Sequence, residues 1–182
     1  EIFGAEASTP AQTLQWATDW EGHPDNASPA LHGGVTVSWM DAGVAHTAQV
    51  PPHSELRAVQ LVPDTRLDTA VARSLIPSTV PHARAAANSA RAALLIHAIS
   101  HDPALLVPGT VDLLHQEYRR PAMPETLAVV DALRAAGIAA TVSGAGPTVL
   151  ALGGPDLEAA VRAVVGEDAS FAISTHSIST RG

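Results

Sequence analysis

The chain has 182 residues, 46% of them apolar and 15% charged, and a formal net charge of −8. This composition excludes a largely disordered chain, and the absence of cysteine excludes a disulfide scaffold, a zinc–thiolate site and thiol catalysis. The only strongly basic side chains are ten arginines, and the acidic balance argues against a nucleic-acid partner or an anionic membrane surface.

Residues 1–20 are predicted to form a helical hairpin. Thr9 is a good N-cap for its second helix, and Pro10 occupies the first helical position. The side chains predicted to be buried on this helix are Leu14, Trp16, Ala17 and Trp20. A helix or turn over 27–31 follows, and alternating apolar side chains predict strands over 35–39 and 45–50.

Pro51-Pro52-His53-Ser54 is typical of a stiff connector and predicts two domains, at 1–53 and 54–182. Beyond it, we predict strands at 57–62, 138–142, 148–152 and 171–178. The predicted helices span 68–75, 81–98, 103–106, 110–117, 124–136 and 155–165. On the helix that begins at Pro81, the predicted buried face comprises Ala83, Ala87, Ala90, Leu94 and Ala98. This order predicts an α+β fold, with a four-stranded antiparallel sheet and helices on one face.

The segment Glu21-Gly22-His23-Pro24-Asp25-Asn26 concentrates polar side chains around a glycine and a proline. Its two carboxylates can bind Mg²⁺ or an ammonium group, and Asn26 offers both a donor and an acceptor. The alternative is an Asx-rich turn that only ends one helix and caps the next.

Ser143-Gly144-Ala145-Gly146-Pro147 lies between two predicted strands. Its glycines allow positive φ angles and a close approach to a ligand, and successive free N–H groups there would bind an anion. A plain hairpin connection explains the same glycines.

Several arginines are candidates for binding a carboxylate or phosphate, because a guanidinium can make bidentate hydrogen bonds to either group. They are Arg73, Arg91, Arg119 and Arg120. The last two follow the dense polar run His115-Gln116-Glu117-Tyr118. Surface arginines are more commonly solvated or loosely paired. The nine histidines show no metal-ligand spacing.

Four segments resemble the homoserine kinases of the GHMP small-molecule kinase family. They are EGHPDNASPALHGG at 21–34, Asn88–Ala93 in the long helix, LHQEYR at 114–119 and SGAGP at 143–147. The resemblance extends from about residue 1 to residue 175. It implies a remnant of the N-terminal GHMP kinase domain followed by the C-terminal domain.

The resemblance also implies an ATP-dependent kinase that requires Mg²⁺. Its reaction would be phosphorylation of the L-homoserine side-chain hydroxyl to O-phosphohomoserine, within threonine biosynthesis. Such an enzyme is expected in the cytoplasm, with no nucleic-acid or membrane partner, and a homodimer is compatible with it.

The resemblance carries roles over to individual residues. Asp25 would bind the ammonium group of homoserine, with His23 and Asn26 shaping the pocket. Arg73 and Arg119 would bind the homoserine carboxylate, and Arg119 would also support the transition state.

Further roles concern the metal and the phosphate end of the site. Glu21 would be the Mg²⁺ ligand, and Arg120 is the alternative to Arg119. Ser143 and Gly144 would contact the substrate end, while residues 144–146 would support the nucleotide site.

The chain departs from the family in its nucleotide loop. The pattern Pro-x-x-x-Gly-Leu-Gly-Ser-Ser is absent, and the sequence begins at Glu1 without methionine. We therefore expect a fragment or a processed chain that cannot phosphorylate a substrate alone. We also expect Val35, Val37 and Trp39 to be exposed.

Two other functions fit parts of the sequence. The order of elements after residue 57 allows a non-catalytic, ACT-like amino-acid-binding module, although the segment at 21–26 has no role there. A GHMP kinase that acts on a mevalonate-like or sugar substrate would not need an ammonium ligand at Asp25.

Overall fold

The computed structural model describes residues 8–166 and 170–178. The first half of the helical hairpin predicted over 1–20 lies largely outside the described residues. The chain divides between Pro52 and His53 into two compact units. Among the described residues, the first unit comprises 8–52 and Ile178, and the second comprises 53–166 and 170–177.

The first unit contains two helices and a β-hairpin. Its elements are α1 (Pro10–Glu21), α2 (Ala27–His32), β1 (Val35–Asp41) and β2 (Val44–Val50). Thr9 and Gln12 form the capping box of α1: the Thr9 hydroxyl accepts from the Gln12 N–H, and the Gln12 side chain accepts from the Thr9 N–H. The predicted helix start at Thr9-Pro10 is confirmed.

One face of the hairpin packs on the helices. The Gln15 side chain of α1 accepts a hydrogen bond from the Ala45 N–H, at 2.9 Å, and the Ser28 hydroxyl of α2 bonds that of Thr47. The predicted exposure is confirmed for Val37 and Trp39, which are 38% and 46% exposed, while Val35 is half-buried.

The prediction for the buried face of α1 was wrong at its two tryptophans. Trp16 and Trp20 are 61% and 92% exposed, and Leu14 and Thr18 are buried instead. Leu14 and Thr18 are four residues apart and share one helical stripe, whereas Trp16 lies about 200° around the helix from Leu14.

The second unit is built on a four-stranded antiparallel sheet in the order β4-β5-β3-β6. The strands are β3 (Arg57–Pro63), β4 (Ala139–Val142), β5 (Val149–Gly153) and β6 (Phe171–Ser177). The predicted α+β fold is confirmed. The core is formed by branched aliphatic side chains of the sheet and of two helices, among them Val59, Leu61, Val130, Leu133, Val149 and Val161.

The helices of this unit are α3 (Thr69–Ser74), α4 (His82–Ser100), α5 (Leu106–Gly109), α6 (Gln116–Arg119), α7 (Pro124–Ala135) and α8 (Leu157–Val165). The helix predicted over 110–117 was wrong, because α6 begins only at Gln116. The predicted buried face of α4 is confirmed at Ala98, which is buried, but it was wrong at Ala83, Ala87 and Ala90, which are exposed. None of the helices in the described ranges is long and apolar enough to span a membrane.

Candidate functional site

The segment Glu21–Asn26 connects α1 to α2 in the first unit. Gly22 ends α1 with a φ of +89°, a conformation that favours glycine. The imidazole of His23 contacts the Asp25 carboxylate, which also accepts a hydrogen bond from the Asn26 N–H at 3.0 Å. The segment is therefore a turn with local side-chain contacts, and it presents the exposed side chains of Asp25 and Asn26.

Glu21 is the exposed last residue of α1. Among the described residues, no group of three or more His, Asp or Glu side chains is arranged to hold a metal ion. A single carboxylate still fits Mg²⁺ in a kinase, since Mg²⁺ binds there through one or two carboxylates together with substrate phosphates.

Arg119 is the most buried of the predicted site arginines, at 8% exposure. One of its Nη1 hydrogens is donated to the Gly144 carbonyl at 2.8 Å. Its buried Nε–H has no hydrogen-bond partner within the described residues. Burial lowers the pKa of Arg119, the nearby charge of Asp112 opposes that effect, and Arg73 adds to it. A buried cation with an unused donor is suited to an anionic ligand.

Arg120, unlike Arg119, is paired with carboxylates. It donates to both carboxylate oxygens of Glu117, at 2.6 and 2.9 Å, and to Asp131 at 3.0 Å. These hydrogen bonds raise the pKa of Arg120. The structure therefore favours Arg119 over Arg120 as the anion-binding residue.

The other two arginines differ from Arg119 in their surroundings. Arg73 lies exposed at the end of α3, a helix capped by the Asp68 carboxylate through the Ala70 N–H at 2.7 Å. Arg91 donates to the Pro108 carbonyl at 3.2 Å. The positive charge of Arg73 contributes to lowering the pKa of Arg119.

The loop between β4 and β5 adopts two positive φ angles, +57° at Gly144 and +89° at Gly146. A Cβ at Gly146 would lie 2.8 Å from the end of the Met123 side chain, which would have to shift, and the positive φ independently favours glycine there. Ser143 N–H donates to the Thr148 carbonyl and Gly146 N–H to the Ser143 carbonyl. The prediction of successive free N–H groups was therefore wrong for Ser143 and Gly146.

Two residues near Arg119 were not predicted as site residues. The Asp112 carboxylate accepts three backbone N–H bonds from the turn that leads into α6, and the Gln116 side chain bonds the end of β4. The sequence does contain a signal for Asp112. It is an aspartate that lies four residues before the first residue of a helix carrying a site arginine.

Residues 85–169 match the family model of the GHMP kinases, C-terminal region. This part of the chain is thus similar to the C-terminal region of the GHMP kinases. The chain is 50% identical over 167 residues to homoserine kinase of Streptomyces coelicolor, a match that covers 92% of this chain and 54% of the relative. It is 48% identical over 169 residues to homoserine kinase of Streptomyces avermitilis, covering 93% and 55%. The chain thus spans about half the length of these relatives, and its resemblance to homoserine kinases is confirmed.

Solved structures show the same fold. Homoserine kinase from Cytophaga hutchinsonii matches with a TM-score of 0.84 and 20% identity, covering 98% of this chain and 61% of that one. L. major mevalonate kinase in complex with R-mevalonate matches with a TM-score of 0.54 and 17% identity, covering 95% and 60%. The assignment of 1–53 and 54–182 to the two GHMP kinase domains stays a prediction.

Proposed function

We propose that the protein is a homoserine kinase, which phosphorylates the side-chain hydroxyl of L-homoserine to O-phosphohomoserine as a step of threonine biosynthesis. The observation that carries this proposal is the 50% identity to the Streptomyces coelicolor homoserine kinase over 92% of the chain. ATP with Mg²⁺, when bound, supplies the phosphoryl group. A cytoplasmic location and a homodimer are further predictions from the sequence.

In this proposal Arg119 binds the homoserine carboxylate. Its Nη1 contact with Gly144 holds the guanidinium, whose buried Nε–H has no hydrogen-bond partner within the described residues. Burial increases the strength of a charge-assisted hydrogen bond, because solvent screens it less. Arg73 adds a second positive charge, and Ser143 and Gly144 belong to the loop that carries the Arg119 contact.

The proposed ligand of the ammonium group is Asp25, as the family resemblance implies. Asp25 is a carboxylate whose Oδ1 already accepts the Asn26 N–H, and a carboxylate has further acceptor sites for an ammonium group. His23 contacts Asp25 and Asn26 precedes α2, so both shape the surroundings of this carboxylate. Glu21 is the proposed Mg²⁺ ligand, and residues 144–146 are proposed to support the nucleotide site.

The decisive experiment is homoserine-dependent ADP formation by the protein purified from its natural source, with its intact mass measured on the same sample. We expect turnover with L-homoserine and none with mevalonate. Turnover with a hydroxy acid that lacks an ammonium group, but not with homoserine, would make this a different GHMP kinase. Homoserine binding that needs no nucleotide, without any turnover, would favour the amino-acid-binding module.

The proposed ligand contacts are tested with analogues that each lack one charge. Homoserinol lacks the carboxylate and 4-hydroxybutyrate lacks the ammonium group. In calorimetry, Asp25→Asn is expected to weaken L-homoserine binding by roughly 1.5–3 kcal/mol, the usual effect of losing a charged hydrogen bond, and to leave 4-hydroxybutyrate binding nearly unchanged. Equal losses for both ligands would remove Asp25 from the ammonium site.

A further inference from the structure

The turn that leads into α6 is organised by a single carboxylate. Asp112 Oδ1 accepts from the N–H groups of Leu114 and His115, at 2.8 and 3.0 Å, and Oδ2 accepts from the Gln116 N–H at 2.9 Å. The His115 imidazole lies 3.2 Å from Oδ1 as well. These hydrogen bonds satisfy three successive N–H groups up to the first residue of α6. They thereby fix the direction in which α6 leaves the turn.

The same turn is attached to the sheet beside the Gly144 loop. The buried Gln116 side chain accepts from the Thr141 hydroxyl at 3.1 Å and from the Val142 N–H at 3.2 Å. Val142 is the last residue of β4 and directly precedes the loop whose Gly144 carbonyl accepts from Arg119. The position of Arg119 relative to this loop therefore depends on the geometry of the turn.

Asp112 also acts on Arg119 through its charge. Its negative charge opposes the lowering of the Arg119 pKa by burial and by Arg73. Yet no carboxylate in the described ranges forms an ion pair with Arg119. Asp112 thus contributes a negative charge that acts on Arg119, while both of its oxygens accept backbone N–H groups of the turn.

We propose that Asp112 is a positioning residue for Arg119: it orders the turn Leu114–Gln116 so that Arg119 donates to the Gly144 carbonyl and its guanidinium is placed for an anionic ligand. The identification of that ligand as the homoserine carboxylate rests on the proposed function. The positioning of Arg119 by Asp112 does not, so the two can be tested separately.

The first test needs no ligand. The Arg119 Nε–H signal is identified in a ¹⁵N–¹H NMR spectrum by its loss in Arg119→Lys, and its exchange with solvent is measured. Asp112→Ala is expected to speed that exchange roughly tenfold or more, since the loss of several cap hydrogen bonds frees the turn. Asp112→Asn, which keeps one acceptor oxygen, is expected to restore part of the protection.

The matched control is Asp102→Ala. Asp102 caps the neighbouring 3₁₀ turn Pro103–Leu105 through the Ala104 N–H at 3.2 Å, and its loss should leave the Arg119 signal unchanged. If Asp112→Ala does not fold, Asp112→Asn takes its place, because asparagine keeps only one acceptor oxygen and should still speed the exchange, though less than alanine. An Arg119 signal and exchange rate unchanged in the folded Asp112 variant would overturn the proposal.

The second test uses the ligand. Asp112→Ala is expected to weaken L-homoserine binding roughly tenfold and homoserinol binding less than about twofold, because only the former has a carboxylate for Arg119. In the Arg119→Ala background, Asp112→Ala should change homoserine affinity less than about twofold. Additive losses would contradict positioning through Arg119. Failure of the parent protein to bind homoserine would overturn the proposed function, while the exchange measurement would still decide the role of Asp112.

Discussion

Arg119 and Arg120 are neighbours in the chain, but Arg119 lies on the inner face of α6, whereas Arg120, the first residue of the 3₁₀ turn that follows α6, lies on the outer face of this segment. The inner face, with Gln116 and Arg119, contacts β4 and the Gly144 loop, and both side chains are buried. The outer face, with Glu117 and Arg120, lies at the surface, where Arg120 bonds two carboxylates.

The difference shows that pairing and burial, not residue type, decide which arginine can take a ligand. Arg120 is already paired with two carboxylates at the surface, where water screens the charges and an ion pair contributes little to stability. Arg119 is buried, donates to one neutral carbonyl, and has a buried Nε–H without a partner within the described residues, so as the proposed ligand of an anion it would interact more strongly than an exposed arginine.

The largest expected effect is on ligand binding, and it distinguishes the arginine of the inner face from the arginine of the outer face. Arg119→Ala should weaken L-homoserine binding by about 1.5–3 kcal/mol, equivalent to roughly 10–150-fold, because a charged hydrogen bond is lost. Homoserinol, which lacks the carboxylate, should bind the variant and the parent almost equally. Calorimetry with both ligands measures the effect, and Arg120→Ala is the control that should change neither affinity. A loss in Arg120→Ala that matched the loss in Arg119→Ala would break the comparison.

The loop that receives Arg119 provides a second test. Gly146→Ala should lower the free energy of unfolding by about 1–3 kcal/mol, because the added Cβ meets Met123 and φ is +89°. Gly144→Ala is the matched variant, with a positive φ but nothing within 4 Å of its Cβ, and it should cost only about 1 kcal/mol. Denaturant unfolding of both variants measures the difference. Equal losses would mean that the Met123 contact does not restrict the loop.

A smaller effect is expected on the outer face. Arg120→Ala should lower the free energy of unfolding by at most about 1 kcal/mol, since its partners Glu117 and Asp131 are largely exposed. The loss should shrink further in molar salt, which screens surface charges. Chemical denaturation at low and high salt checks this expectation, and a loss that is large and independent of salt would show that Arg120 has a buried role.

The smallest effect concerns pH. The hydrogen bond from Arg120 lowers the pKa of Glu117 below its ordinary value of 4.5. A carboxyl group with a lowered pKa stabilises the folded state fully above its ordinary pKa, and it loses that contribution as pH falls through the lowered pKa. The stability difference between the parent and Glu117→Gln should therefore be constant near pH 7 and disappear in acid. A difference that persists below the lowered pKa would rule out the ion pair as its source.

Much of the fold was predictable because its signals are local. The Thr9-Pro10 helix start, the alternation of β1 and β3, and the proline and glycine that bound α7 all act within a few residues of the element they define. The errors occurred where a neighbour in space decides burial. Trp16 and Trp20 are apolar but face solvent, and residues 110–115 form a capped turn because the Asp112 side chain takes the backbone N–H groups there.

The candidate site divides in the same way. The sequence by itself determined the α+β order, the family resemblance and the polar segments at 21–26, 114–119 and 143–147, because these depend on residue type and spacing along the chain. Only the tertiary structure decided that Arg119 turns inward and Arg120 outward, that Gly146 lies against Met123, and that Asp112 and Gln116 hold the turn. Those contacts join residues from separate elements, and their energies depend on burial and pairing, which spacing along the chain does not specify.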